Sequence, residues 1–557
     1  LLGHIQSGNV QYNDAYLRRE PYWAVFVQDD WKLSRRLTLN IGLRYDIQFG
    51  MYEIHNRLNR GFDYGAAQPT SSAVIAAWNS LRAANPARDM PPPQALRGGL
   101  LFAGVKGQPR RVYDTDFSNL QPRVGFAYQF LPKTVMRGGF GIFHRTATQG
   151  NTATGFSIGT PYINSLTAGQ FPSSGLTGPY SLENPWPGGV VKPLGSSRGI
   201  ETNIGLGISF DPPNRLIPRT FQWSYTLERE LPWSMVLEAS YVGSRTVKEW
   251  VGFAINNMGR EQYDAAQTNP GYFQARVPNP FYGIFPTSVG RGASAEVSRE
   301  LLLRPRPHFD GITQNLAPWG HSYYHGLQIR FEKRMMGARS KGGALTWVMA
   351  YTLAKQMEKR WRDAFSYTWR DPITQVTNVD RSHNLTFAGI WDLPFGKGRG
   401  LANSLPAAAN AIVGGWTGNA NFIYQSGVPL GAWTGWEFLC GDPLAGERSE
   451  TRWFFNDRSQ FSKCWRQLRP FEYRELPDRF HSIRSHAAPQ IDLMISKKID
   501  VGERYQVEFR VEAFNAFNTP IRGDAPSGNP AAADFGILPV AQMNFPRNIQ
   551  LGMRFRF

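Results

Sequence analysis

The sequence predicts an all-β fold, an antiparallel transmembrane β-barrel of about thirteen strands with short turns at one end and long loops at the other. Three observations carry that prediction. Segments of about ten residues alternate apolar and polar with a period of two, the side-chain period of a strand. Short and long connections between these segments alternate strictly. Composition agrees, because 41% hydrophobic and 13% aromatic residues with 56 glycines and 39 prolines favour strands, turns and irregular loops over helices. No apolar run reaches the ~18 residues of a transmembrane helix, so a membrane-spanning reading rests on strands alone.

In chain order, Tyr22 to Trp31 and Leu37 to Ile47 form a hairpin across a tight link, and the pattern then lapses from Gly50 to Asn119. Within that lapse the stretch Ser72 to Ala84 reads as helical. Gln121 to Phe130 and Thr134 to His144 follow, joined at Leu131-Pro132-Lys133, before a second excursion from Arg145 to Pro218. Phe221, Trp223, Tyr225 and Leu227 share a face, as do Met235, Leu237, Ala239 and Tyr241 after a turn at Leu231-Pro232-Trp233. The third loop is expected from Gly243 to Gly320, before Leu327, Ile329 and Phe331 and then Leu345 to Leu353. Ala354 to Arg381 separates these from Leu385 to Trp391, and a longer link, Asp392 to Gly415, leads to Trp416 to Gln425. After Ser426 to Ala488 come Ile491 to Ile495, Tyr505 to Ala513, the loop Asn515 to Pro546, and the last strand. There Ile549, Leu551, Met553, Phe555 and Phe557 share one face, and Gln550, Gly552, Arg554 and Arg556 the other.

A soluble sandwich has no reason to place all long loops at one end. A barrel of the bacterial outer membrane does, with short periplasmic turns, long extracellular loops, an apolar outer face and a polar lumen. Tyr22, Trp31, Tyr45, Trp233, Trp391, Trp416 and Tyr424 near strand ends suit two interfacial girdles. If the last strand ends at the periplasm, the first begins outside, and the two run the same way. They cannot close an antiparallel barrel, and an open edge in lipid is not viable. The expectation is an odd number of further strands upstream, residues 1–557 being the C-terminal part of the barrel. The terminal strand should then carry an unpaired edge when these residues stand alone. The start, Leu1-Leu2-Gly3-His4, shows neither an initiator Met nor a signal peptide, so a signal was removed or the chain is an interior fragment; strand direction favours the fragment.

The net charge of +18 is scattered through strands and loops, which argues for a solvated, lumen-facing charge and not for nucleic acid. Membrane lipid and lipopolysaccharide are compatible anionic partners. The only two cysteines, Cys440 and Cys464, share one loop, and the pair suits a disulfide in an oxidising compartment.

Several segments resemble a known family. Tyr22 through Asp46, beginning Tyr-Trp-Ala-Val-Phe-Val-Gln-Asp-Asp-Trp, resembles the mid-barrel hairpin of TonB-dependent outer-membrane receptors. Asp380-Arg-Ser-His-Asn-Leu through Trp391-Asp-Leu-Pro-Phe-Gly-Lys-Gly-Arg399 is similar to a segment of the Oar-like branch. So are Gly414-Gly-Trp with Tyr424-Gln-Ser-Gly427, and Glu512-Ala-Phe-Asn-Ala-Phe-Asn-Thr-Pro520. Phe555 and Phe557 look like the aromatic-ended signal read by the barrel-assembly machinery. The resemblance implies a barrel of about twenty-two strands. It also implies a plug and a TonB-contacting box upstream, absent here, and energised import of a large solute such as a peptide or oligosaccharide. A passive porin-like channel and a surface-displayed adhesin are the alternatives.

Enzymatic chemistry is the least supported reading. Gly155-Phe-Ser-Ile-Gly159 matches the nucleophile-elbow spacing but sits in a Gly- and Thr-rich loop, without the strand-turn-helix the motif needs. His321 and His325 are four apart with no third ligand, and His481 and His486 are isolated, so neither a metal nor another cofactor is expected. Arg44, Asp46, Arg330, Glu332, Glu508, Arg510, Glu512 and Arg554 are expected on the lumen face as a polar wall that packs a plug. Binding should live in the loops. Trp361, Tyr367, Trp369, Trp433, Trp436, Trp453, Phe454, Phe455 and Trp465 are the candidates, since loop aromatics stack sugars or grip peptides. Packing of these loops on one another is the competing expectation.

Overall fold

The computed structural model describes residues 9–146, 153–161, 186, 189–285, 290–334, 341–360, 370–431, 435–440, 449–451, 453, 461–475, 477, 479–502, 504–523 and 529–557. Thirteen strands form one continuous sheet in which each pairs antiparallel with its neighbour in sequence. They are β1 (Tyr22–Lys32), β2 (Leu37–Gln48), β3 (Leu120–Leu131), β4 (Thr134–His144), β5 (Arg219–Leu231), β6 (Met235–Ala254) and β7 (Ile312–Lys333). β8 (Ala344–Arg360), β9 (His383–Asp392), β10 (Trp416–Gln425), β11 (Ala488–Val501), β12 (Tyr505–Phe514) and β13 (Asn548–Arg556) complete the path. Connections 33–36, 132–133, 232–234, 334–343, 393–415 and 502–504 lie at one end of the sheet, and 49–119, 145–218, 255–311, 361–382, 426–487 and 515–547 at the other. The outer edges of β1 and β13 pair with nothing among the described residues.

Register confirms the two-faced pattern. Ala24 lies opposite Asp46 and Phe26 opposite Arg44, while Val25 faces Tyr45 and Val27 faces Leu43. At the far edge Arg554 lies opposite Glu508, and Leu551 opposite Val511. One face is thus a band of exposed Val, Leu, Ile and aromatic side chains, the kind of surface that lipid covers. Tyr22 departs from the girdle expectation. It shares the polar face with Gln48, and its hydroxyl accepts a hydrogen bond from Arg44 Nη2 at 2.7 Å. Trp391 and Trp416 do sit at the short-turn end, their indole N–H groups donating to the carbonyls of Gly342 and Ile412, both at 2.9 Å.

Three strands outrun their sequence signal. β6 continues to Ala254 and β7 begins at Ile312, so the loop expected from Gly243 to Gly320 shrinks to 255–311; β8 likewise runs on to Arg360. Above the apolar band neither face needs to be greasy, so alternation disappears while backbone pairing persists. Thr246 still pairs with Ser322, and Ala254 with Thr313, across three register shifts. His321 and His325 therefore lie inside β7, not at the start of a strand.

The long connections fold over one end of this sheet as a cap with its own apolar cores. Val74 and Trp78 of the helix Ser71–Ala84 pack with Leu96, Ile204, Val277, Phe281 and Leu302, uniting the first three long connections. Trp78 is completely buried, and its indole N–H donates to Pro91 O at 2.9 Å. A second core joins Phe62, Phe102, Phe156, Phe210 and Phe309.

Candidate functional site

Lumen and cap together form the candidate site. On the polar face six of the eight expected charges meet an ion-pair partner close by. Arg44 Nε lies 2.8 Å from Asp46 Oδ1, Arg330 Nη2 2.6 Å from Glu332 Oε2, and Arg510 Nε 3.1 Å from Glu508 Oε1. Residues two apart share a face, so these pairs run along single strands. Asp46 also accepts from Gln121 Nε2 at 2.6 Å. Glu512 and Arg554 occupy the same face on β12 and β13. Arg137 and Glu228, 3.0 Å apart on β4 and β5, extend the polar wall; sequence reading missed them because the pair forms only across two strands distant in the chain. Near the cap, a groove of about 480 Å³ takes in Arg123, Phe143, Gln222, Ser244 and Tyr324, with Arg123 stacked 4.7 Å from the Phe143 ring centre.

A cavity of about 550 Å³ lies within the cap, lined by Asn13, Tyr16, Thr154, Asn203, Ser209 and Asp310 among others. That volume falls within the ~300–1,000 Å³ of small-molecule sites. Its lining is mainly hydroxyl, amide and backbone groups, with Asp310 as the carboxylate. Asp310 Oδ1 sits 3.3 Å from Arg291 Nη2, and burial pushes that guanidinium down to about 10, still a cation at neutral pH. Nothing in the sequence pattern singled these residues out, since they come from separate segments and lack periodicity. Ser157, from the nucleophile-elbow match, lies in a strand, Ser157–Pro161, paired with Asn9–Asn13, and its hydroxyl bonds to Asn13 Oδ1. Ser157 and the four residues after it are strand, not the turn that the elbow needs directly at its serine.

Three aromatic candidates of the cysteine-bearing loop take the second of the two expected settings, packing within the cap. Cys440 and Cys464 are joined by a disulfide. Around it Trp465, only 3% exposed, packs with Phe438, Ile483 and Phe535, and Trp436 and Trp453 lean on the same cluster. These three are engaged in core packing and are not free platforms, because burying them is how a loop without a sheet of its own excludes water. Trp361, Tyr367, Trp369, Trp433, Phe454 and Phe455 lie outside the described residues.

The family-like motifs converge at the two rims. Asp380 accepts from Gln356 N–H and from Arg484 Nη2, both at 2.6 Å. Arg381 donates to Ser426 O at 2.9 Å, and Ser426 Oγ accepts from His383 N–H at 3.1 Å. A Cβ on Gly427 would run into the Ser485 carbonyl, so that position requires glycine. The Asp380 and Ser426 motifs thus form one knot binding two long connections, 361–382 and 426–487, to the wall. Asn515 does the same further along, its amide donating to Thr519 O and Phe545 O at 3.1 and 3.0 Å. At the opposite rim Thr417 Oγ1 donates to Asp392 Oδ1 at 2.7 Å, beside the close approach of Gly396 to Gly414.

The family model described as outer membrane beta barrel domain matches residues 1–550. No curated protein sequence is similar to the chain. Solved structures similar to it include FpvA of P. aeruginosa bound to heterologous pyoverdines, at 8% identity and TM-score 0.37, covering 97% of this chain and 39% of that one. The outer membrane transporter YddB from Escherichia coli shows 7% identity and TM-score 0.38, covering 97% and 54%. The ferric-catecholate import receptor Fiu from K12 E. coli shows 9% and 0.37, covering 97% and 45%. The chain spans about half, or less, of the length of these proteins.

Proposed function

Because the chain belongs to the outer membrane β-barrel domain family, and so resides in the outer membrane, we propose that it supplies wall and roof of a TonB-dependent importer. The imported solute is a large one, a peptide or an oligosaccharide, and the chain's role is transport without catalysis. The observation that carries this reading is the polar face of the sheet beneath a folded cap that holds a 550 Å³ cavity of hydrogen-bonding groups. Such a lining suits one polar unit of a larger ligand, recognised through many hydroxyl and amide contacts. In this reading the plug and the TonB-contacting box belong to upstream sequence, and the Oar-like motifs are the pins that hold the roof. The polar wall would then be the surface against which the plug packs.

The experiment is uptake of labelled peptides and oligosaccharides by cells carrying the full-length gene, with and without tonB. Uptake that disappears without tonB is expected. Uptake that persists, together with steady ion conductance of the purified full-length protein in planar bilayers, would establish a passive channel instead.

A further inference from the structure

Register places an unusual set of side chains on the apolar side of β6, β7 and β8. From the short-turn end this face reads Leu237, Phe331, Met349, then Ala239, Ile329, Tyr351, then Tyr241, Leu327, Leu353. The next rows are Gly243, His325, Lys355, then Arg245, Tyr323, Met357, and finally His321 with Lys359. At about 3.4 Å per residue and a tilt of about 40°, the climb from Met235 to Gly243 is roughly 20 Å, most of the ~25 Å height of a barrel's apolar band. The cations therefore begin where the outer leaflet's hydrocarbon gives way to headgroups, on the surface that faces lipid.

Several observations mark this patch as built. Arg245, His325, Lys355 and Lys359 are exposed. Among the described residues Arg245, Lys355 and Lys359 have no ion-pair partner; Glu249 is the nearby carboxylate, acting on His321 alongside Arg245 and Lys359. A concavity of about 310 Å³ is lined by Trp223, Arg245, His321, Tyr323, His325 and Lys359. His325 is fixed from below, Nδ1 lying 2.7 Å from the Tyr241 hydroxyl, and His321 Nδ1 is buried without a partner. Trp223 lies over Gly243 so closely that a Cβ there would overlap the indole. The opposite face at the same height carries Ser244, Thr246, Ser322, Tyr324, Gln356 and Glu358, the last paired with Arg479 at 2.8 Å, so on these three strands the unpaired positive charge lies on the lipid side.

We propose that this patch is a binding site for the phosphate groups of outer-leaflet lipopolysaccharide, with Arg245, Lys355 and Lys359 as the cations and Trp223 and Tyr323 framing the headgroup. Unpaired cations at the headgroup level attract anionic lipid, and a concavity with unspent donors holds a phosphate better than a flat surface does. The inference depends on outer-membrane residence and is independent of the transport reading.

The test uses full-length protein purified in mild detergent and titrated with bis-phosphorylated lipid A and with its dephosphorylated form, bound lipid being read by native mass spectrometry. The triple variant Arg245→Gln, Lys355→Gln, Lys359→Gln should bind bis-phosphorylated lipid A on the order of 100-fold more weakly, about fivefold per cation. Arg330→Gln, on the lumen face, should bind as the parent does. Heat-modifiable electrophoretic mobility verifies folding, and the double variant Lys355→Gln, Lys359→Gln serves if the triple does not fold. Equal binding of the phosphorylated and dephosphorylated lipids, or unchanged binding by the folded variants, would overturn the proposal. Loss of lipid A with solute uptake intact would support it and leave the importer reading untouched.

Discussion

In the sheet, Val25, Ile41, Leu551 and Met553 stand 67%, 50%, 76% and 72% exposed, whereas in the cap Leu58, Trp78 and Phe281 are completely buried. The same residue types follow opposite rules within one chain. Cap residues are surrounded by water and gain by leaving it, so the long connections build cores around Trp78, Phe309 and Trp465. Wall residues on the apolar face have lipid for solvent. Their stability comes from pairing backbone groups where lipid offers no partner, as the ladder from β1 to β13 does everywhere but along its two outer edges and at its register shifts. The cap is therefore the part that core mutations break, and the wall the part that charge on its greasy face breaks.

The largest expected effect lies in the cap. Trp78→Ala should cost about 3–5 kcal/mol of cap stability, because it empties a fully buried site and leaves Pro91 O without its donor. Hydrogen exchange should show loss of protection across 49–119, 145–218 and 255–311 with the wall unaltered; simultaneous loss in both would break the comparison. Next comes the disulfide. Its sequence separation of 24 implies about 3.5 kcal/mol of loop restriction, so reductant should speed proteolysis within 426–487 and spare the strands. In the wall, Ile329→Arg should cost about 2–4 kcal/mol in bilayer unfolding experiments, while Gln328→Arg next to it, on the polar face, should cost less than about 1. If the two substitutions cost the same, the assignment of faces is wrong.

The smallest predicted effect depends on pH. His308 is completely buried in the cap, packed on Phe309 at 4.5 Å between ring centres, and burial pushes it from 6.5 down to about 4. As pH falls, the unfolded cap takes up a proton near 6.5 and the folded cap does not. Cap stability should then be flat above about 6.5 and decline between there and about 4, by about 2 kcal/mol at pH 5. Melting of the cap followed against pH checks this, and His308→Phe should flatten the profile. A wild-type profile already flat over that window would rule out the histidine as its source.

Strand identity was legible wherever lipid imposes a period. β1 and β2 begin where the alternation of Tyr22 and Leu37 begins, and the helix from Ser71 was visible as a break in that pattern. Legibility failed where the constraint changes. Above the bilayer, Arg245, His321 and Lys355 replace apolar residues on the outer face, so strands that continue in hydrogen bonding looked like loops. The loop tryptophans were ambiguous for a related reason. Nothing in a linear run such as Phe461 to Trp465 tells an aromatic aimed at a ligand from one that closes a small core over a disulfide. The cap cavity was invisible because Asn13, Thr154, Ser209 and Asp310 meet only through tertiary folding.

The extended pair β6–β7 has a mechanical consequence. It is a narrow beam rising from the wall into the cap, joined at its tip by Ile208–Phe210 alongside Ile312–Gln314, and the cap core around Trp78 is strung in part on the connection that leaves it, 255–311. Its three register shifts fall between Thr246 and Phe253, where Lys248 and, on the partner strand, Leu316 adopt positive φ of 59° and 48°. Such irregularities bend and twist a ribbon. The roof is thus a cantilever, and the angle at which it overhangs the end of the sheet is written into a few residues of its support.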